Sequence, residues 1–286
     1  MIHTMTTNDI LAQARSLLFV PGNRPERFLK AAHSGADAVV LDLEDAVPTA
    51  EKAAARGAIA QQWPQLLALQ VPLVVRINAA DGPAWPQDLA LLRGLPRLAA
   101  VMVPKAESAD ALRQAHESLA GAAVLPLIES AAGYDALPRV AAAPGVLRLV
   151  LGHIDFMADT GLQCSEDERE LAPLRFAIAL ATRRQRLAPA VDGVTVAIDD
   201  AQRLREDTRR ALRFGFGAKL CIHPRQVAGV HEALMPSAAE LDWARRVIAA
   251  DVAAGGAAVQ LDGRMVDAPV VLQARRTLAR AGGAGV

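Results

Sequence analysis

Short runs of β-branched and leucine residues, each bounded by Gly, Pro or Asp, begin near Ser16, Ala38, Pro72, Ala99, Ala123, Val146, Ala190 and Ala218. They read as eight strands, and the Ala-, Leu- and Arg-rich stretches between them read as helices. Alternation of this kind over roughly 200 to 250 residues is what a (β/α)8 barrel requires. An open doubly wound sheet usually stops at about five or six strands and carries a Gly-rich nucleotide turn. No G-x-G-x-x-G follows the first strand. The pattern therefore predicts an α/β fold, a (β/α)8 TIM barrel over residues 1–223 with a C-terminal helical extension over 224–286.

The punctuation of the chain places several helices. One follows the Pro-Gly-Asn turn from Pro25 to Ser34, one runs from Ser108 to Leu119 behind a Ser cap, and one ends at Gly215 after Asp199 to Phe214. The gap between the sixth and seventh strands is the longest, with an acidic, Gly-containing loop from Asp155 to Glu170 before a helix from Leu171 to Leu187. Such a loop at a barrel's C-terminal rim often covers a site. After His223-Pro224 the pattern turns helical, with a long segment from Ala238 to Ala254, a Gly255-Gly256 break and a last helix to Ala281. This tail is expected to cap the barrel or reach a neighbouring subunit.

Composition narrows the functional classes. The 286 residues are 52% hydrophobic, with 31 basic and 31 acidic side chains, so a large core is available and no net charge points to nucleic acid or a membrane surface. Two cysteines, Cys164 and Cys221, are too few for a disulfide framework, which fits a reducing cytoplasm. Met1 to Ala14 lacks a basic region followed by an apolar stretch, so a secretory signal is not expected and the start should fray.

Three strands end in acids: Val39 to Asp45, Val124 to Ser130 and Leu149 to Asp155. In a barrel, the C-terminal strand ends share one mouth, which gathers Glu44, Asp45, Arg76, Lys105, Glu129 and Asp155. Two carboxylates, completed by substrate oxygens and waters, suit Mg²⁺, whereas zinc would want His or Cys. For each acid taken alone, a helix cap or an ion pair is the commoner role. Convergence of Glu44, Glu129 and Asp155 on one mouth favours a shared metal site, and Asp42, within its strand, is expected to be structural. Arg76 could pair with a neighbouring acid or grip a substrate carboxylate bidentately, and the second role is preferred. Lys105 is as consistent with a surface lysine as with a phosphate contact. His153, His223 and both cysteines default to structural roles on this reading.

Over almost the whole chain these motifs resemble the citrate lyase beta subunit-like members of the HpcH/HpaI aldolase superfamily. The resemblance rests on Arg15 to Gly22, Leu41 to Val47 with Glu51-Lys52, Arg76-Ile77-Asn78 and Pro104 to Ser108. It continues through Pro126 to Ser130, Gly152 to Phe156, Gly217 to Pro224 and Met265 to Pro269. Many relatives have Glu-Asp where this chain has Ile154-Asp155. The resemblance implies Mg²⁺ ligated by Glu129 and Asp155, with Glu44 and Asp45 holding metal-bound waters or ordering the site. It implies Arg76 on the 2-oxo acid or acyl carboxylate, a CoA-binding region around Lys219 to Pro224 that includes His223, and a homotrimer. It also implies an acid/base role for Asp267.

The activity implied is Claisen-type cleavage of a carboxylated 3-hydroxyacyl-CoA, such as malyl-CoA or citramalyl-CoA, to an acyl-CoA and a 2-oxo acid. Three alternatives remain at this point: a malyl-CoA thioesterase, the beta subunit of a citrate lyase complex acting on an acyl carrier protein thioester, and a noncatalytic metal-binding assembly protein.

Overall fold

All eight expected strands form, and they close into one parallel barrel. In the computed structural model, which describes residues 5–282, these are β1 (Ser16–Pro21), β2 (Ala38–Asp42), β3 (Leu73–Arg76) and β4 (Ala100–Val103). The circle continues through β5 (Ala123–Ile128), β6 (Val150–Leu151), β7 (Val191–Asp192) and β8 (Ala218–Cys221), and β8 pairs back onto β1. Both faces of a barrel strand are covered, inside by facing strands and outside by helices. That is why β2, β3, β4 and β5 are buried at every position. Inward side chains such as Leu17, Val40, Val74, Met102, Leu125 and Leu220 form one packed interior.

The N-terminal segment contributes to that interior, contrary to the expected frayed start. Residues 1–4 lie outside the described residues, but α1 (Thr7–Gln13) begins with a capping box between Thr6 and Asp9 and buries Leu11 completely. Leu11 joins the barrel-interior cluster, and its burial is worth about 2 kcal/mol. Arg148 fastens α1 from the far side of the barrel, donating from Nη1 to the carbonyls of Leu11 (3.0 Å) and Ala14 (2.8 Å) and from Nε to that of Pro189 (2.8 Å). A guanidinium there satisfies carbonyls that the helix end leaves free. The sixth strand is shorter than expected. Val146 makes one bridge to Val124, and the ladder resumes only at Val150.

The barrel helices are α2 (Phe28–Ala32), α3 (Lys52–Leu67), α4 (Trp85–Arg93), α5 (Ala109–Ser118), α6 (Ala131–Ala141), α7 (His153–Thr160), α8 (Ala172–Arg184) and α9 (Ala201–Arg213). Ser108 caps α5 and Asp200 caps α9, close to the sequence reading. The expected loop from Asp155 to Glu170 is half wrong, because α7 occupies its first part. His153 and Phe156, three residues apart, bury one helix face, and Gly161 ends the helix at φ 71°.

The chain divides into two compact units, one up to His231 and one from Glu232, with α10 (Arg225–Leu234) crossing the division. The second unit contains α11 (Ala238–Ala253), a hairpin of β9 (Val259–Leu261) and β10 (Arg264–Val266), and α12 (Ala268–Gly282). Ala244, Val247, Val266, Val271 and Ala274 form its small core. The hairpin was not anticipated, although its signal is in the sequence. Asp262-Gly263 is a two-residue turn that needs positive φ at both positions, and they stand at 49° and 75°. Among the described residues no helix is long and apolar enough to cross a membrane.

Candidate functional site

The site grows from the C-terminal ends of neighbouring strands. Asp42 ends β2 in register with Arg76 at the end of β3. The pairing decides how the arginine is used: Nε donates to Asp42 Oδ1 at 2.7 Å and Nη2 to Oδ2 at 2.6 Å. The bidentate face expected to grip a substrate therefore already holds Asp42, because register sets the two side chains side by side. Asp42 also accepts from the backbone N–H of Glu44 (2.9 Å) and Ala46 (3.1 Å), which fixes the loop that carries the next acids. Nη1 of Arg76 remains, 2.9 Å from Glu44 Oε2 and 3.7 Å from Asp45. The first is an ion pair without hydrogen-bond alignment, so Glu44 Oε2 stays an orphan acceptor. Phe19 lies under the guanidinium, 4.8 Å from its carbon to the ring centre. Lys52 donates to the carbonyls of Leu43 and Glu44 and to Asn78, completing the support of this loop.

Glu129 follows β5 and is 3% exposed. Its competing role as a helix cap falls to Ser130, whose Oγ accepts from Gly133 N at 3.0 Å at the start of α6. Glu129 is left free for the mouth. One oxygen, Oε1, accepts from the backbone N–H of Lys105 at 2.7 Å, and the other, Oε2, is buried with no partner. Burial pushes its pKa up to about 8; the Lys105 N–H works against the shift, while the Glu44 and Asp155 carboxylates add to it. Gly152 makes the close approach possible, since a Cβ there would stand 2.6 Å from Glu129 Oε2.

Asp155 sits in the first turn of α7 and is exposed at the rim. Partial desolvation and then Asp45 push its pKa up, opposed by Arg76 and Lys105. Glu44 is shifted upward as well, chiefly by burial, against Arg76. Glu44, Asp45, Arg76, Lys105, Glu129 and Asp155 are thus close enough to influence one another at one mouth. Among the described residues no group of three or more His, Cys, Asp or Glu side chains is placed to hold a metal. Glu44 is paired with Arg76. Two carboxylates remain, and the orphaned Oε2 of Glu129 is the kind of buried oxygen that a hard cation satisfies.

Other expected site residues sit differently. Lys105 acts through its main chain, held at φ 44° so that its N–H reaches Glu129, while its side chain is exposed. Lys219, expected near CoA, is 1% exposed, with Nζ on Asp192 Oδ2 (3.1 Å) and the Gly193 carbonyl (2.7 Å). It lies within β8, so its side chain pairs with the neighbouring strand. His223, just after β8, accepts at Nδ1 from Arg225 N at 3.2 Å. Asp267 belongs to the second unit and accepts from Val270 N at 3.3 Å at the start of α12. What the strand-end reading missed is the Arg76–Asp42 fork, which facing acid and base in adjacent parallel strands could have revealed.

Comparison with known proteins places this geometry. The family model for HpcH/HpaI aldolase/citrate lyase matches residues 15–224. A citrate lyase subunit beta-like protein of Mycobacterium tuberculosis is 40% identical over 285 residues, covering 96% of this chain and 98% of that one. An L-malyl-CoA/beta-methylmalyl-CoA lyase of Cereibacter sphaeroides is 35% identical over 293 residues, covering 91% and 92%. The crystal structure of the protein CitE from Mycobacterium tuberculosis, in complex with magnesium, acetoacetate and coenzyme A, superposes with a TM-score of 0.83 at 38% identity, covering 95% of this chain and 99% of that one.

Proposed function

Because the chain belongs to the HpcH/HpaI aldolase/citrate lyase family, we propose that it is a Mg²⁺-dependent carbon–carbon lyase. Its substrates are carboxylated 3-hydroxyacyl-CoA esters of the malyl-CoA or citramalyl-CoA type, cleaved to an acyl-CoA and a 2-oxo acid. The observation that carries this reading is Glu129, whose buried Oε2 has no partner and whose other oxygen is locked by Lys105 N–H. Relatives support it: one is named a malyl-CoA lyase, and another is seen with magnesium and coenzyme A.

Glu129 and Asp155 would hold the ion, leaving room for waters and substrate oxygens. When bound, the ion supplies Lewis acidity that lowers the pKa of the substrate hydroxyl and polarises the forming carbonyl. Arg76, preorganised by Asp42 and Phe19, keeps Nη1 turned towards Glu44 and the mouth, where it steadies negative charge on the 2-oxo acid half. Glu44 and Asp45 order the waters of the site. Asp267 is assigned the acid/base role at the reacting carbon, on the resemblance of Met265 to Pro269.

The test is mass spectrometry of products from a panel of hydroxyacyl-CoA esters with Mg²⁺, repeated with a chelator. Chelator-sensitive release of an acyl-CoA and a 2-oxo acid is expected, whereas free hydroxy acid would indicate a thioesterase and no cleavage of any ester would refute the reading. Asp267→Asn is expected to retain Mg²⁺ and 2-oxo acid binding while losing turnover; wild-type rates would remove Asp267 from the mechanism.

A further inference from the structure

The two carboxylates assigned to the ion sit on different elements, Glu129 just after β5 and Asp155 in the first turn of α7. Whether one cation can take both depends on where α7 stands against the segment that carries Glu129, and two hydrogen bonds fix that. At the start of α7, Gly152 N donates to the Ile128 carbonyl at 2.9 Å. One turn beyond Asp155, Asp159 Oδ2 accepts from Ala131 N at 2.8 Å. Ile128 and Ala131 flank Glu129 in the chain, and Gly152 and Asp159 flank Asp155. Each candidate ligand therefore lies between the same two tethers.

The first tether continues the β5–β6 pairing and uses backbone alone, whereas the second depends on one side chain. The first four N–H groups of α6 have no carbonyl partner within that helix. Ser130 Oγ takes the one from Gly133 at 3.0 Å while donating to Glu107 Oε1 at 2.6 Å, and Ala131 N is left for a neighbour. Asp159 supplies the acceptor from α7, and a carboxylate there complements the positive end of the α6 dipole. Asp155 and Asp159 stand four positions apart, which puts both on one face of α7. The face that meets the start of α6 is thus the face that presents Asp155. An edge contact between the rings of Phe156 and Tyr134, 6.4 Å between centres, joins the same two helices. Asp159 itself is exposed, so it adds little to the core.

We propose that Asp159 is a positioning residue: by holding α7 to the start of α6 it sets the spacing of Asp155 from Glu129, and with it the affinity and size preference of the site for a divalent cation. The inference rests on the metal-dependent lyase reading and adds to it a residue that acts through Asp155. Without this tether, the Gly152 hydrogen bond and the Phe156–Tyr134 contact remain, and α7 can turn about them. Mg²⁺ binding suffers more than Ca²⁺ binding. The smaller ion demands oxygens at about 2.0–2.1 Å in near-octahedral geometry, whereas Ca²⁺ accepts about 2.3–2.6 Å and looser arrangements.

Calorimetric titration of the full chain with Mg²⁺ and, separately, with Ca²⁺ compares the wild type with Asp159→Ala and Asp159→Asn. Asparagine keeps an oxygen for Ala131 N and removes only the charge, so it separates position from field. Asp159→Ala should weaken Mg²⁺ binding by about two- to tenfold, the range of one hydrogen bond. Ca²⁺ should weaken less, so that the Mg²⁺ to Ca²⁺ affinity ratio falls by about threefold. Asp159→Asn should keep the wild-type ratio, with both affinities shifted together by no more than about twofold, as loss of an exposed charge requires. Partial misfolding would lower the number of ions bound per chain for both metals without moving the ratio. A wild-type ratio in Asp159→Ala, or an equal fall in Asp159→Asn, would overturn the positioning role while leaving Glu129 and Asp155 as ligands. A wild type that binds neither ion would remove the metal-dependent reading and this inference together.

Discussion

The two ends of the barrel treat buried charge in opposite ways. At the N-terminal end Asp37 and Arg148 both have partners. Asp37 accepts from Arg15 through the backbone N (2.7 Å) and Nε (3.0 Å), and lies 3.4 Å from His231 Nε2. Ser16 Oγ stands 2.8 Å from that same His231 nitrogen, and Arg148 is spread over three carbonyls. At the C-terminal mouth, Glu129 Oε2 and His153 Nδ1 are buried without a hydrogen bond, and Glu44 Oε2 has only its unaligned ion pair with Arg76. Leaving such a group unpaired costs about 1–3 kcal/mol. A fold that satisfies one end and leaves the other unsatisfied has placed its destabilising groups where a ligand can complete them.

The contrast can be broken most severely at Glu129. Glu129→Gln should lower kcat/KM by more than about 100-fold, since even residues that only support a metal ligand are worth 10- to 100-fold. The same change should not destabilise the metal-free protein at pH 8. The sign follows from a folded pKa of about 8 above the usual 4.5: protonation favours the fold, so this contribution is complete below pH 4.5 and is lost as pH rises through 8. Urea midpoints of the two proteins across that range measure it, and a Gln variant with the wild type's slope would show that Glu129 is not the orphan it is described to be.

Arg148→Met attacks the other end. Burial already pushes its pKa down to about 9, and removing it strands three carbonyls, so a stability loss of about 3 kcal/mol is expected with activity per folded molecule retained. A loss below about 1 kcal/mol, against the 1–3 expected for a single stranded group, would mean that water replaces the guanidinium.

Asp37→Asn should have a smaller, pH-dependent effect. Burial raises this carboxyl, but the hydrogen bonds from His231 and Arg15 outweigh it and hold it far below the usual 3.8. Its contribution of about 1–2 kcal/mol is therefore present above pH 4 and lost as pH falls below it. Denaturation midpoints at pH 6 and pH 3 should differ less between wild type and variant at the lower pH. The smallest effect is at Lys105, where Lys105→Gly relieves the positive φ while keeping the N–H on Glu129. Stability should rise by up to about 1 kcal/mol, with Mg²⁺ affinity within about twofold; a large loss of affinity would assign the side chain a direct contact.

The barrel was legible because its strands are continuously apolar and punctuated by Gly, Pro and Asp, a local signal that the closed ladder preserves. The mouth residues followed from strand ends alone. Their roles did not, because roles depend on register. Asp42, read as structural within its strand, is what occupies the Arg76 fork, and only the β2–β3 pairing reveals it. The contribution of Lys105 is a backbone N–H, which no side-chain reading could isolate. The α7 helix hid behind an acidic, Gly-containing composition, although His153 and Phe156 carry its buried face. His153 itself looked structural, and its unpartnered ring becomes visible only once Gly193 is seen to seal one side.

Glu129 and Asp155 are proposed to hold one divalent cation between them. Calorimetric titration of the chain with Mg²⁺, beside Glu129→Gln and Asp155→Asn, tests it most directly. One ion per chain for the wild type and loss of binding in both variants is the predicted result. Mg²⁺ affinity unchanged in either variant would contradict the claim.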